Sequence, residues 1–248
     1  MSVRYDRIGH GYASQRREDP RIKARIARAL GDARTVVNVG AGAGSYEPPD
    51  RHVIAIEPSD VMAAQRAPQR VPAIRASAGA LPLRDRSVDA AMAILTVHHW
   101  DAEREAGVKE LRRVARGPVV VLTYDAEVSG NMWLMAEYLT EVAELDRRIF
   151  PPPETIAQWL GGGTVETVPI AADTTDRMLG AFWAHPEWVL DADARNATSG
   201  FARQSSEVVE RVVTALAADL ASGAWDAKHG HLRQLDEYDA GLRLVVGE

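Results

Sequence analysis

Three glycines and one glutamate form the clearest chemical pattern in the sequence. Gly40, Gly42 and Gly44 alternate directly after the apolar run 35–39, and Glu57 ends the next apolar run. Glycine lets a ligand approach the backbone closely, and a carboxylate can accept hydrogen bonds from both hydroxyls of a sugar diol. The pattern predicts a site for a nucleoside-type ligand, and the alternative is a tight turn that holds no ligand.

The segment between the glycines and the second apolar run separates two kinds of nucleotide ligand. A dinucleotide site uses G-x-G-x-x-G and a helix whose N-terminus faces the pyrophosphate. Here the spacing is G-x-G-x-G, and residues 45–52, which include Pro48 and Pro49, leave room for about one distorted helical turn. The sequence therefore favours a ligand with a ribose and no pyrophosphate over a nicotinamide dinucleotide.

Apolar runs that alternate with amphipathic segments place this loop in an α/β fold. The predicted strands cover residues 35–39, 52–57, 71–77, 87–95 and 118–124. The predicted helices cover residues 20–30, 59–67 and 101–117, the last one capped by Asp101. Such alternation predicts a doubly wound, mostly parallel, Rossmann-like sheet, with its ligands beyond the carboxyl ends of the strands.

After residue 125 the alternation stops. The later sequence predicts helices over 131–150, 154–160 and 206–223, strands over 164–170 and 242–247, and an irregular aromatic segment over 173–191. The two added strands bring the sheet to seven. We therefore expect a single domain, residues 1–248, with a ligand-binding core (12–125), a helical cover over the active site (126–230) and a closing strand (231–248).

Composition narrows the class of protein. The chain of 248 residues has a formal net charge of −6 and no cysteine. An acidic balance disfavours nucleic acid as a partner, and the lack of cysteine excludes disulfides and thiolate metal sites. The polar N-terminus and the lack of a bilayer-length apolar run predict a cytoplasmic protein without a membrane anchor.

An ordered series of motifs adds a family resemblance. "VVNVGAGAG" (36–44), "AIEPS" (55–59), "ALPLRDRSVDAAMAILTVHHW" (80–100) and "ELRRVARGPVVVLTYD" (110–125) resemble the class I S-adenosylmethionine-dependent methyltransferases, type 11-like group, that act on small molecules. The resemblance covers roughly residues 12–125. It implies S-adenosyl-L-methionine as the cofactor and methyl transfer as the reaction.

The resemblance also implies cofactor contacts. The glycine loop would pack on the methionine part, Glu57 would take both ribose hydroxyls, Met62 would pack on the adenine, and Tyr12 with Arg17 would close over the cofactor carboxylate. The other implied contacts are Ala41, Pro58, Ala78 and Leu95. Two positions depart from the family pattern, because Asn38 and Ser77 stand where acids are usual.

The residues for methyl transfer are expected at the strand ends and in the cover. His98 or His99 is a candidate general base, because imidazole titrates near neutrality, although both could be structural. Tyr124 ends the fifth strand and could face the acceptor. Four residues of the cover are predicted to line the acceptor site: Trp133, Tyr138, Trp183 and His185.

Several alternatives stay open at this stage. The protein could bind S-adenosylmethionine or S-adenosylhomocysteine without turnover, since Asn38 and Ser77 weaken the motif, or it could be an NAD(P)-dependent oxidoreductase. Residues 228–231, "KHGH", suggest a metal site with Asp226 or Asp236 but lack a third convincing ligand, so no metal is predicted. A small-molecule acceptor is the expected partner, and a homodimer is a possible assembly.

Overall fold

The computed structural model describes residues 17–248, and the predicted contact of Tyr12 lies outside this range. The strands are β1 (Thr35–Val39), β2 (His52–Ile56), β3 (Ala73–Ile74), β4 (Ala90–Ile94), β5 (Val119–Tyr124), β6 (Thr164–Thr167), β7 (Ile170–Ala171), β8 (Glu237–Tyr238) and β9 (Leu242–Gly247). The α-helices are α1 (Pro20–Ala29), α2 (Asp60–Ala64), α3 (Arg104–Val114), α4 (Ala126–Ser129), α5 (Thr140–Ile149), α6 (Pro153–Trp159), α7 (Ala192–Asn196), α8 (Ser199–Ala202), α9 (Ser206–Ser222) and α10 (Ala224–His229).

Seven strands form the main sheet in the order β3-β2-β1-β4-β5-β9-β6. The first five are parallel, whereas β9 is antiparallel to both β5 and β6. Apolar clusters cover both faces of the sheet, which explains why the central strands are almost wholly apolar. The predicted fold, a mostly parallel, doubly wound, seven-stranded sheet, is confirmed.

Helix α1 forms for reasons that are visible in its sequence. Pro20 occupies the first turn, where its missing N–H costs nothing, and the Asp19 side chain accepts a hydrogen bond from the Arg21 amide at 2.9 Å. Ile22 and Ile26 are spaced four residues apart and are buried against the sheet.

Two predicted helices differ from the structure. The helix expected over 131–150 is interrupted, because residues Leu134–Tyr138 form a π-helical turn and Leu139 leaves the helical region with φ −122° and ψ 48°. The turn lets consecutive apolar residues, from Met132 to Met135, all become buried, so tertiary packing overrides local periodicity.

The prediction that Asp101 caps α3 is wrong. Asp101 lies in a separate 3₁₀ turn with φ 48°, and Glu103 precedes the helix.

The strand expected over 164–170 also divides in two. Residues Thr164–Thr167 join the outer edge of the main sheet, while Ile170–Ala171 pair with β8 in a small separate sheet. Helix α6 packs against β9. Part of the segment predicted as cover therefore builds the sheet, and the remainder provides residues beyond the carboxyl ends of β4 and β5. Among residues 17–248, no helix combines the length and apolar character needed to cross a bilayer.

Candidate active site

The glycine loop is fixed to the ends of two strands. The amides of Gly40 and Ala41 both donate to the Ile56 carbonyl at 2.9 Å, which ties the loop to β2. Gly40 has φ +70°, and a Cβ there would fall 2.0 Å from the Thr96 hydroxyl oxygen. Gly40 is therefore required by packing against the segment after β4, independently of any ligand.

Glu57 lies beside the loop and is buried. One carboxylate oxygen accepts from the Gly42 amide and the other from the Ser59 amide, each at 2.8 Å. Burial raises the pKa of Glu57, while the two amide donors oppose that rise. Since an ionised carboxylate offers about four acceptor sites, each oxygen keeps capacity for one further donor. That arrangement suits a ribose diol.

A buried ion pair under the loop was not foreseen from the sequence. Arg66 donates to both carboxylate oxygens of Glu47 at 2.9 and 2.8 Å, and the two side chains are 4% and 2% exposed. Arg66 also donates to the Gly42 carbonyl at 3.2 Å, and the Asn38 side-chain amide donates to Glu47 at 3.0 Å. Glu47 therefore places a buried carboxylate against the side-chain amide of Asn38.

Asn38 provides a direct test of whether the loop suits the expected cofactor. Its carbonyl oxygen is buried and has no hydrogen-bond partner among residues 17–248. A buried acceptor without a partner is costly, and an ammonium group at the loop would satisfy it. Together with the remaining acceptor sites of Glu57, this atom fits an amino-acid nucleoside, and the residues present match the group.

The other predicted cofactor contacts surround the same loop. Met62 is buried, and its terminal methyl lies 3.3 Å from the position that a Cβ on Gly42 would take. Ala78 is buried and Ser77 half-buried, on the segment after β3. Pro58 is half-buried next to Glu57, whereas Arg17 is exposed. The structure shows where these residues lie, and their contacts with the cofactor remain predictions.

A pocket lies at the ends of β4 and β5, and β4 is the neighbour of β1, after which the glycine loop follows. It encloses about 690 Å³ of space between atoms, including the volume that is open to solvent. The sequence-predicted residues Leu95, His98, His99 and Tyr124 all line it. The rest of the wall comes from Ser129, Met135, Val142, Leu145, Asp146, Phe150, Met178, Leu179, Gly180, Thr198, Ser199, Gly200 and Arg203. We call this space the acceptor pocket.

The two histidines have different surroundings in the acceptor pocket. The His98 ring stacks on Phe150 at a centroid distance of 3.9 Å and is buried. The His99 Nδ1 lies 2.9 Å from a guanidinium nitrogen of Arg203. Because guanidinium only donates, His99 Nδ1 must accept, and the ring proton of neutral His99 is on Nε2. The tautomer is inferred from this partner.

Asp146 is another residue of the candidate site that the sequence analysis did not identify. It lines the acceptor pocket, and burial raises its pKa to about 7, an effect that the nearby positive charge of Arg203 partly offsets. The signal was present in the sequence, because Asp146 shares one helix face with Val142, Leu145 and Ile149. A buried acid with a raised pKa in a cleft is a candidate functional residue.

The four cover residues predicted to face the acceptor do not line the acceptor pocket. The Trp133 indole donates to the Trp183 carbonyl, and the Trp183 indole donates to the Ile170 carbonyl, each at 3.0 Å. Tyr138 donates to Asp219 at 2.6 Å, and His185 stacks on Trp188. Their size and polar ends are used to pack the cover, and their contact with the acceptor stays a prediction.

Two of the residues 228–231, which suggested a metal site, contact a single carboxylate. Lys228 and His229 both contact Glu137, at 2.8 and 3.0 Å. In the described part of the chain, no group of three or more His, Asp or Glu side chains is arranged to hold a metal ion.

Comparisons with known proteins agree with this geometry. A family model described as "Methyltransferase domain" matches residues 37–121. A candidate methyltransferase from an antibiotic biosynthesis pathway of Anabaena variabilis is 31% identical, and the alignment covers 94% of this chain and 99% of that one with a TM-score of 0.87. No curated protein matches the chain.

A more distant structure shares only the fold. Phosphoethanolamine N-methyltransferase 2 from Haemonchus contortus is 14% identical over 92% of this chain and 52% of its own, with a TM-score of 0.52. The strand order, the loop without a helix between β1 and β2, and the full-length match together identify the family. The chain belongs to the class I S-adenosylmethionine-dependent methyltransferases, in the type 11 group.

Proposed function

We propose that this methyltransferase acts on a small organic acceptor that binds in the acceptor pocket. The observation that carries the proposal is the pocket itself, which is bounded by the cover residues Met178, Leu179 and Arg203. A small molecule can bind wholly inside such a space, whereas a macromolecule could insert only a projecting group. The formal net charge of −6 also disfavours RNA.

The proposed cofactor contacts follow from the loop geometry. Glu57 binds the ribose hydroxyls through its two remaining acceptor sites, and the Asn38 carbonyl accepts from the ammonium group. Met62 packs on the adenine, next to Gly42. When bound, S-adenosylmethionine supplies a methyl group that its sulfonium already activates.

The proposed role of the pocket is to orient the acceptor and to exclude water. A bound acceptor can react only when its nucleophile is aligned with the methyl group, so positioning supplies much of the rate. Leu95 lies at the end of β4 and lines the pocket, so it is placed to separate the cofactor from the acceptor. His98, His99 and Tyr124 present polar groups at the same wall. We also propose a cytoplasmic location, since the chain has no cysteine to form disulfides.

Methyl transfer into extracts tests this proposal. Purified protein and S-adenosylmethionine labelled on the methyl group are incubated with an extract of the source organism, which is then divided by molecular mass. We expect label in the low-mass fraction, and none when Glu57→Ala replaces the wild type. Label confined to protein or RNA would overturn the small-molecule acceptor. Tight cofactor binding without any transfer would favour the non-catalytic alternative.

A further inference from the structure

Asp146 lies on the pocket face of helix α5. Val142, Leu145 and Asp146 all line the acceptor pocket, and their spacing of three and four residues places them on one side of the helix. Among the described residues of the pocket wall, Asp146 is the only acid. Burial raises the pKa of the Asp146 carboxyl, and the positive charge of Arg203 opposes that rise.

Four other titratable groups face the same space. His98 and His99 follow β4, Tyr124 ends β5, and Arg203 follows α8. Arg203 is held against His99 Nδ1 at 2.9 Å, so a proton on that nitrogen would face the guanidinium. Because a guanidinium only donates, His99 Nδ1 accepts in this contact and is already occupied by Arg203. Asp146 is the carboxylate base in the described part of the pocket wall.

The charges of the pocket also select the acceptor. The guanidinium of Arg203 is permanently charged and can only donate hydrogen bonds. It stabilises an oxygen on which negative charge develops, as does the Nε2–H of His99. The apolar wall of Met135, Phe150 and Met178 suits a hydrophobic body. An acceptor with an acidic hydroxyl, of the phenol or enol type, matches both features.

We propose that the methyltransferase forms methyl ethers on an apolar molecule with an acidic hydroxyl, and that Asp146 is the catalytic base that removes the hydroxyl proton. This inference rests on the proposed small-molecule function. The acceptor oxygen bonds to the methyl carbon as the carbon–sulfur bond breaks, and that electron pair leaves with the sulfur. The hydroxyl proton goes to the Asp146 carboxylate. The positive charge of the sulfonium and the negative charge of the carboxylate are both neutralised, and no oxidant is needed.

The chemical nature of the product tests the acceptor class. The transfer is repeated with a ¹³C-labelled methyl group, and the carbon chemical shift of the low-mass product distinguishes oxygen-, nitrogen- and carbon-bound methyl groups. A methyl ether supports the inference. A methylamine, a methyl ester or a carbon-bound methyl overturns it and leaves the small-molecule function intact. Label that appears only in macromolecules would instead contradict the proposed function.

The role of Asp146 is tested with Asp146→Asn, which keeps the shape and removes the base. Glu144→Gln is the matched control, because Glu144 is exposed on the same helix. With the labelled low-mass fraction as acceptor, we expect kcat/KM to fall about 100-fold or more in Asp146→Asn and the rise of activity with pH through neutrality to disappear. Affinity for S-adenosylhomocysteine should stay unchanged. An Asp146→Asn enzyme with wild-type rate and pH profile would overturn the inference.

A measurement without turnover keeps the inference testable. Infrared difference spectra across a pH titration detect the protonated carboxyl directly. Wild type and Glu144→Gln should show a carboxyl that titrates near neutrality, and Asp146→Asn should lack it. Titration of Asp146 in the ordinary acidic range would exclude it as the proposed base, whatever the acceptor is.

Discussion

Glu47 and Arg66 form a buried, doubly hydrogen-bonded ion pair directly beneath the glycine loop. Glu47 comes from the loop itself and Arg66 from the segment after α2. The Arg66 guanidinium also binds the Gly42 carbonyl at 3.2 Å, so the pair fixes the loop from below. A buried pair contributes little net stability compared with apolar packing, but the loss of one partner leaves an uncompensated charge.

The first prediction concerns this pair. Glu47→Gln should lower the free energy of unfolding by about 3 kcal/mol or more, because it leaves the Arg66 charge buried. It should also weaken binding of S-adenosylhomocysteine, since Arg66, which donates to the Gly42 carbonyl, loses the carboxylate that positions it. Urea denaturation and calorimetry measure the two effects. Glu105→Gln, which breaks the exposed pair with Lys109, should cost only about 0.5 kcal/mol. Equal, small losses in both variants would contradict the structural role.

The second prediction concerns the ribose contact. Glu57→Gln keeps the side-chain volume but removes the charge and half of the acceptor capacity. Hydrogen bonds to a charged group are worth about 1.5–3 kcal/mol, so the affinity for S-adenosylhomocysteine should fall about 10-fold or more. Calorimetry is the measurement. Asp60→Asn is the control, because Asp60 lies on the neighbouring helix with its side chain 89% exposed, and a similar loss there would point to a general charge effect.

The third prediction separates cover packing from acceptor binding. Trp183→Phe removes an indole N–H that satisfies the buried Ile170 carbonyl, so the free energy of unfolding should fall by about 1–3 kcal/mol. The KM for the acceptor should stay constant, because Trp183 does not line the acceptor pocket. Leu145→Ala, in the pocket wall, should raise that KM. A large change of KM in Trp183→Phe would instead support a direct contact of Trp183 with the acceptor.

The fourth prediction concerns stability and pH. Because burial raises the pKa of Asp146 to about 7, the folded state binds a proton more tightly than the unfolded state. The stabilisation from this proton is complete below the pKa of the unfolded chain and is lost as the pH rises through about 7.

Asp146→Asn has no such proton. The unfolding free energy of the wild type should therefore fall relative to that of Asp146→Asn as the pH rises from about 4 to about 8. Urea denaturation over this range measures the difference. Glu144→Gln should run parallel to the wild type. If the wild type and Asp146→Asn ran parallel instead, Asp146 would have an ordinary pKa.

Local sequence patterns were sufficient to predict the positions of the central strands. The strands β1, β2, β4 and β5 lie within one to three residues of the predicted runs, and the closing strand matches residues 242–247. These elements are buried on both faces, so their apolar composition is itself the signal. The predictions failed where packing overrode periodicity, as at Leu139 and at Asp101.

The sequence by itself determined the sheet, the glycine loop and the position of Glu57, because each depends on neighbouring residues. Only the tertiary structure decided what surrounds them. Glu47 meets Arg66 across 19 residues, and Arg203 meets His99 across 104. No local pattern encodes such distant contacts. The same physical reason explains why the aromatic residues of the cover pack its interior, while Asp146 on an apolar helix face reaches the pocket.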